Sequence, residues 1–137
     1  MDGSWRRLSP NRKGHLYRLL IVDDDEGMRE NLSELFASLG YEVFTASNTP
    51  EALENLRTTD VDLLLTDYKM PGPTGVELIE SARQVRPEMR AVLMTAFGDS
   101  FTEIESVRRG AAGYITKPFE ADEVVELVKR ILSLGET

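Results

Sequence analysis

The chain has 137 residues, with 16 Lys and Arg against 24 Asp and Glu and a formal net charge of −8. That length suits one domain that buries a core without disulfide or structural metal. With no cysteine there is neither a thiol nucleophile nor a disulfide framework. The acidic balance argues against direct nucleic-acid binding by this domain, and no apolar run is long enough to span a bilayer, so a soluble, cytoplasmic protein without a membrane role is expected.

Residues 1–16 (MDGSWRRLSPNRKGHL) show no periodicity and carry Arg6, Arg7, Arg12 and Lys13 among Gly, Ser, Pro and Asn. They read as a flexible basic leader. His15, the one histidine, lies there without companion ligands and predicts no metal site. The folded domain is expected over residues 17–135. Tyr17–Val22 reads as a strand that stops at Asp23-Asp24-Asp25. Met28, Leu32, Leu35, Phe36 and Leu39 then recur at helical spacing, with Gly40 as the stop. Tyr41–Ala46 is a second strand, and Thr49-Pro50-Glu51 a helix start with Thr49 as the expected N-cap, ahead of Ala52, Leu53 and Leu56.

Leu63-Leu64-Leu65-Thr66 reads as a strand buried on both faces, running into Asp67 and then the turn-forming Met70-Pro71-Gly72. A helix follows Pro73, with Val76, Ile79, Ala82 and Val85 inward. Arg90–Thr95 is the fourth strand. Ser100–Arg109 is the fourth helix, with Phe101, Ile104 and Val107 on one stripe. Gly113–Thr116 is a short fifth strand. The last helix carries Val124, Leu127, Val128, Ile131 and Leu134, and Val125 and Leu132 lie beside that stripe. These two are expected either to join a dimer or effector contact or to broaden the core face.

Five strands alternating with five helices imply an α/β fold: a doubly wound, flavodoxin-like parallel sheet with right-handed crossovers. All strand carboxyl ends then share one edge. There the first strand brings Asp23 and Asp24, the third Asp67, the fourth Thr95, and the fifth leads to Lys117-Pro118. With strand order 2-1-3-4-5 the crevice lies between strands 1 and 3, where the acids are. Crowded carboxylates call for a cation, and hard oxygen donors suit Mg²⁺, with Mn²⁺ as a substitute.

The ordered set Val22-Asp23-Asp24, Asp67-x-x-Met70-Pro71-Gly72, Met94-Thr95-Ala96 and Gly113-Tyr114-x-x-Lys117-Pro118-Phe119 resembles the receiver domain of bacterial two-component response regulators. The resemblance covers residues 17–135 and implies several things. Asp67 would accept a phosphoryl group from a phosphohistidine on a sensor histidine kinase or phosphotransfer protein. The metal would be held by Asp24, Asp67 and the main-chain carbonyl of Lys69, with Asp23 acting through water. Lys117 would meet the phosphoryl oxygens as a point charge, and Thr95 would donate a hydrogen bond once the phosphate is present. Tyr114 would rotate inward as a switch, remodelling a homodimer or effector face made by helix 4, strand 5 and helix 5. The Lys117–Pro118 bond would be cis.

Asp25, the third consecutive acid, reads as a solvated or helix N-terminal charge. Lys69 and Phe97 flank the route of an attacking water and would tune phosphate lifetime, while small Ala96 leaves donors access to Asp67. Such a chain is a signalling switch and not an enzyme, with only self-catalysed phosphorylation and autodephosphorylation. A haloacid-dehalogenase-type phosphohydrolase would carry a second Asp two residues after its nucleophile, where Lys69 stands. The remaining alternative is a degenerate receiver acting as a phosphorylation-independent binding module, which would be expected to lack one of the acids or the lysine.

Overall fold

The computed structural model describes residue 14, residues 16–96 and residues 100–134, with only the backbone of 100–102. The expected leader, apart from residues 14 and 16, lies outside the described residues, as do His15 and Phe97.

Five strands, β1 (Arg18–Val22), β2 (Glu42–Ala46), β3 (Leu63–Asp67), β4 (Arg90–Thr95) and β5 (Gly113–Thr116), alternate with α1 (Glu26–Ser38), α2 (Thr49–Thr58), α3 (Gly75–Val85), α4 (Ser100–Arg108) and α5 (Ala121–Ser133). All neighbouring strands pair in parallel, in the expected order β2-β1-β3-β4-β5. The register places Leu65 beside Ile21 and Val92, and Asp67 beside Met94.

The central strands are apolar on both sides because both faces are covered. Leu19, Ile21, Leu63, Leu65, Val92 and Met94 pack with Leu32 and Phe36 of α1 and Val124, Val128 and Ile131 of α5. Leu20, Val22, Leu64, Ala91 and Leu93 pack with Ala52 and Leu56 of α2 and Val76, Leu78 and Ile79 of α3. Each fully buried Leu or Ile contributes about 1.5–3 kcal/mol. The strand ends are therefore fixed points from which side chains are held.

The helix starts are set locally. Asp25 caps α1, its side chain accepting from the Gly27 N–H, and Gly40 follows α1 at φ +97°. The cap of α2 is Asn48 rather than Thr49: the Asn48 side chain accepts from the Glu51 N–H, which frees the buried Thr49 hydroxyl to donate to the Pro73 carbonyl at 3.3 Å. Thr74 and Glu77 form a capping box on α3.

The structure overturns one expectation about helix faces and decides two that the sequence left open. Val85, at the end of α3, is exposed and Leu78 is buried in its stead. Val125 and Leu132 are 1% and 5% exposed and belong to the core, so they offer no contact face. α5 covers β4 and β5 on the face it shares with α1 and needs a broad apolar face. Ile104 and Val107 of α4 are 58% and 59% exposed, while Ser106 is buried with its hydroxyl turned back to the Glu103 carbonyl. Among the described residues, no helix is long and apolar enough to cross a membrane.

Candidate functional site: an acid pocket at the carboxyl edge of the sheet

Asp23, Asp24 and Asp67 converge because β1 and β3 are neighbours and both end at this edge. Each offers a carboxylate oxygen, and these atoms lie within 4.8 Å of one another. Asp23 is 1% exposed and Asp67 8%, whereas Asp24 is open to solvent.

Lys117 reaches into the pocket from the end of β5. Its Nζ donates to Asp23 Oδ2 at 3.0 Å and pairs with Asp67 Oδ1 at 3.1 Å. The Lys117 main chain is held by its N–H donating to the Thr95 carbonyl at 2.8 Å, and Lys117–Pro118 is cis. Asp23 is gripped further: its Oδ1 accepts from the Asp25 N–H at 2.9 Å. Thr95 is buried at the end of β4, paired with Thr116. Lys69 is exposed in the loop after β3, and Tyr114 is half-buried on β5.

The electrostatics follow from crowding. Burial is the largest influence on Asp67 and pushes its carboxyl above the usual range; the Lys117 hydrogen bond pulls it back down, and Asp23 raises it again. Burial would lower Lys117, but its hydrogen bonds to Asp23 and Asp67 outweigh this and leave it above the ordinary lysine value. Three acids against one lysine leave the pocket short of positive charge. Hard carboxylate oxygens this close, one pair buried and one acid open to water, fit a hydrated divalent cation such as Mg²⁺.

The chain matches the response regulator receiver domain family over residues 19–129. It belongs to that family. Sporulation initiation phosphotransferase F of Bacillus subtilis is 38% identical over 117 residues, 85% of this chain and 94% of that protein. The DNA-binding transcriptional regulator NtrC of Azospirillum brasilense is 35% identical over 115 residues, 84% of this chain but 24% of its own length. This receiver thus spans about a quarter of that larger regulator. Among solved structures, the CheY-like response regulator receiver domain protein of Methanospirillum hungatei aligns at a TM-score of 0.84 with 33% identity, over 88% of this chain and 97% of that one. Receiver domains of this family are signalling switches.

The receiver's neighbourhood includes residues that periodicity did not single out. Arg29, on the first turns of α1, donates from its guanidinium to the Asp23 carbonyl at 2.7 Å. Glu103 of α4 accepts a hydrogen bond from the Tyr114 hydroxyl, which, with lesser help from burial, raises that phenol. Gly75 opens α3 directly behind Asp67. The one sequence signal among these was a glycine just after the Thr74 cap, an unusual residue for a helix start; the other two depend on contacts across elements.

Proposed function

We propose that this receiver is a phosphorylation-switched signalling domain in which Asp67 takes a phosphoryl group from the phosphohistidine of a partner histidine kinase or phosphotransfer protein. An Asp67 carboxylate oxygen attacks phosphorus in line, the P–N bond breaks, and the imidazole leaves, giving an acyl phosphate. The observation that supports this most is Asp67 itself: buried at the end of β3, paired with Lys117, and within 4.8 Å of two further acids.

Asp24, Asp67 and the Lys69 main-chain carbonyl would hold Mg²⁺, with Asp23 acting through water, and the cation would supply positive charge against two anions brought together. Lys117 moves its point charge from the two carboxylates to the incoming phosphoryl oxygens, which its partly exposed position allows. The Thr95 hydroxyl donates to the same oxygens, drawing in the loop after β4 and making room for Tyr114 to leave Glu103 and turn inward. Contacts made only with phosphate present are what shift such an equilibrium.

The surface that changes is that of α4, β5 and α5. The exposed Ile104 and Val107 on α4 favour an effector or second receiver as its partner. The domain would act in the cytoplasm, with its folded part beginning near residue 17 behind a basic leader. A phosphorylation-independent binding module is the competing reading, and the presence of Asp67, Asp24, Lys117 and Thr95 at one edge weighs against it.

The test is intact mass after incubation with acetyl phosphate, with and without Mg²⁺, beside Asp67→Asn. One Mg²⁺-dependent phosphoryl group, absent in the variant, is expected. No adduct, together with no beryllofluoride binding, would leave the binding-module reading.

A further inference from the structure

We propose that Gly75 is a positioning residue for the acid pocket. Lacking a side chain, it lets the start of α3 rest on the main chain of Asp67 and thereby sets where the Asp67 carboxylate and the following loop stand. This deepens the receiver reading and rests on it.

A methyl group at Gly75 would lie 2.1 Å from the Asp67 carbonyl oxygen, 2.9 Å from the carbonyl carbon and 3.0 Å from Leu93 Cδ1. The first two are backbone atoms and have no rotamer by which to move aside. Gly75 is not among the described glycines with positive φ, so glycine is needed there for space alone. The hydrogen in that direction faces the carbonyl oxygen, the geometry of a Cα–H···O contact.

The displacement has nowhere else to go. α3 cannot retreat, because Val76, Leu78 and Ile79 just behind Gly75 are buried. The loop between has little slack. The Gly75 N–H donates to the Tyr68 carbonyl at 2.7 Å, closing its base, and Met70 is buried in its middle. The Pro73 carbonyl is tied to Thr49. On the other side the Tyr68 N–H is bound to the Met94 carbonyl at 2.8 Å. A side chain at position 75 would therefore push on Asp67 itself, shifting its carboxylate relative to Asp23 and Lys117 and shifting the main chain that leads to Lys69. In-line transfer tolerates little of this: about 1 Å of misplacement costs roughly 100-fold.

Gly110 supplies the matched control. It has φ +110°, so any replacement there is strained, yet an added methyl would meet the flexible Arg83 side chain at 2.6 Å. It precedes β5, at the amino edge of the sheet and opposite the pocket.

The experiment compares the full chain with Gly75→Ala and Gly110→Ala, at a temperature where circular dichroism shows all three folded. Mg²⁺ binding is read by calorimetry, and acetyl phosphate labelling is timed at saturating Mg²⁺. Gly75→Ala should bind Mg²⁺ at least about 10-fold more weakly and label about 100-fold more slowly, while Gly110→Ala keeps both within about twofold despite its lower melting temperature. A folded Gly75→Ala that matches the parent in both would overturn the proposal. So would equal losses in both variants. If Gly75→Ala is unfolded in buffer, the titration is repeated in trimethylamine N-oxide, which favours the compact state; a chain that still does not fold refutes a role specific to the pocket. The parent's own Mg²⁺ isotherm and labelling test the receiver reading separately.

Discussion

The acid pocket and α4 lie on the same sheet yet are held in opposite ways. Around the pocket, each buried polar group is tied to a rigid strand end: Asp23 to the Asp25 N–H, Lys117 and Arg29, and Asp67 to Lys117. On α4 Ile104 and Val107 point to solvent, and a serine faces inward. Chemistry needs groups fixed within fractions of an ångström, whereas a signal needs a surface whose partner or packing can change. This receiver keeps the two apart, and on the proposed reading Thr95 on β4 and Tyr114 on β5 would join them.

The sharpest way to break that division is Asp67→Asn. Phosphorylation should vanish, yet the fold should gain. Because the native carboxyl lies above its unfolded value, folding favours the protonated form, and stability falls as pH rises through the native value. The variant should melt higher at pH 7, by roughly 2–4 °C, with the gap closing below about pH 4. A variant melting below the parent at pH 7 would contradict the crowding argument.

Lys117→Met should do the reverse on stability. It leaves Asp23 and Asp67 facing each other without a counter-charge, at a cost of about 1–3 kcal/mol, less than for a fully buried pair because Lys117 retains some exposure. Urea midpoints at pH 7 read this. In the parent the lysine's contribution is complete below about pH 10.4 and lost as pH rises through its raised native value. An unchanged midpoint would mean that Lys117 is catalytic equipment only.

A paired truncation compares the two regions by packing. Val125→Ala, in the core, should cost about 2 kcal/mol, while Val107→Ala on α4 should stay within about 0.5 kcal/mol. Equal costs would show that α4 packs more firmly than its exposure indicates. A further small effect is expected at Tyr41. Its hydroxyl is buried without a hydrogen-bond partner, and burial, with a lesser push from Tyr17, raises the phenol strongly. Tyr41→Phe should therefore be neutral or stabilising by up to about 1 kcal/mol, read by thermal melting. A loss would mean that the hydroxyl is bonded in solution.

Much of this was legible in the sequence because it is local. Three leucines before Asp67, the alternation of strand and helix, and Gly40 after an apolar stripe each act through residues next to them. Since all five strands run parallel, Asp23, Asp24, Asp67, Thr95 and Lys117 fall on one edge, whereas the strand order was a supposition that the sheet bears out. Helix faces were less legible. An apolar residue at helical spacing shows which residues share a face, but not whether that face meets the sheet or water. Val125 and Leu132 went inward because α5 lies broadly on the sheet face it shares with α1, while Ile104 and Val107 stayed outside.

The sequence by itself thus determined the fold class, the order of elements and the collection of acids and lysine at one edge, since these depend on periodicity and chain direction alone. Tertiary structure decided the rest. It gave the Thr49 hydroxyl, free of the cap that Asn48 makes, a partner in the Pro73 carbonyl, left Ile104 and Val107 of α4 outside, placed Arg29 on the Asp23 carbonyl, and left Gly75 only enough room for a hydrogen beside Asp67. Each of these depends on atoms brought together from distant parts of the chain, a distance that no spacing in the sequence encodes.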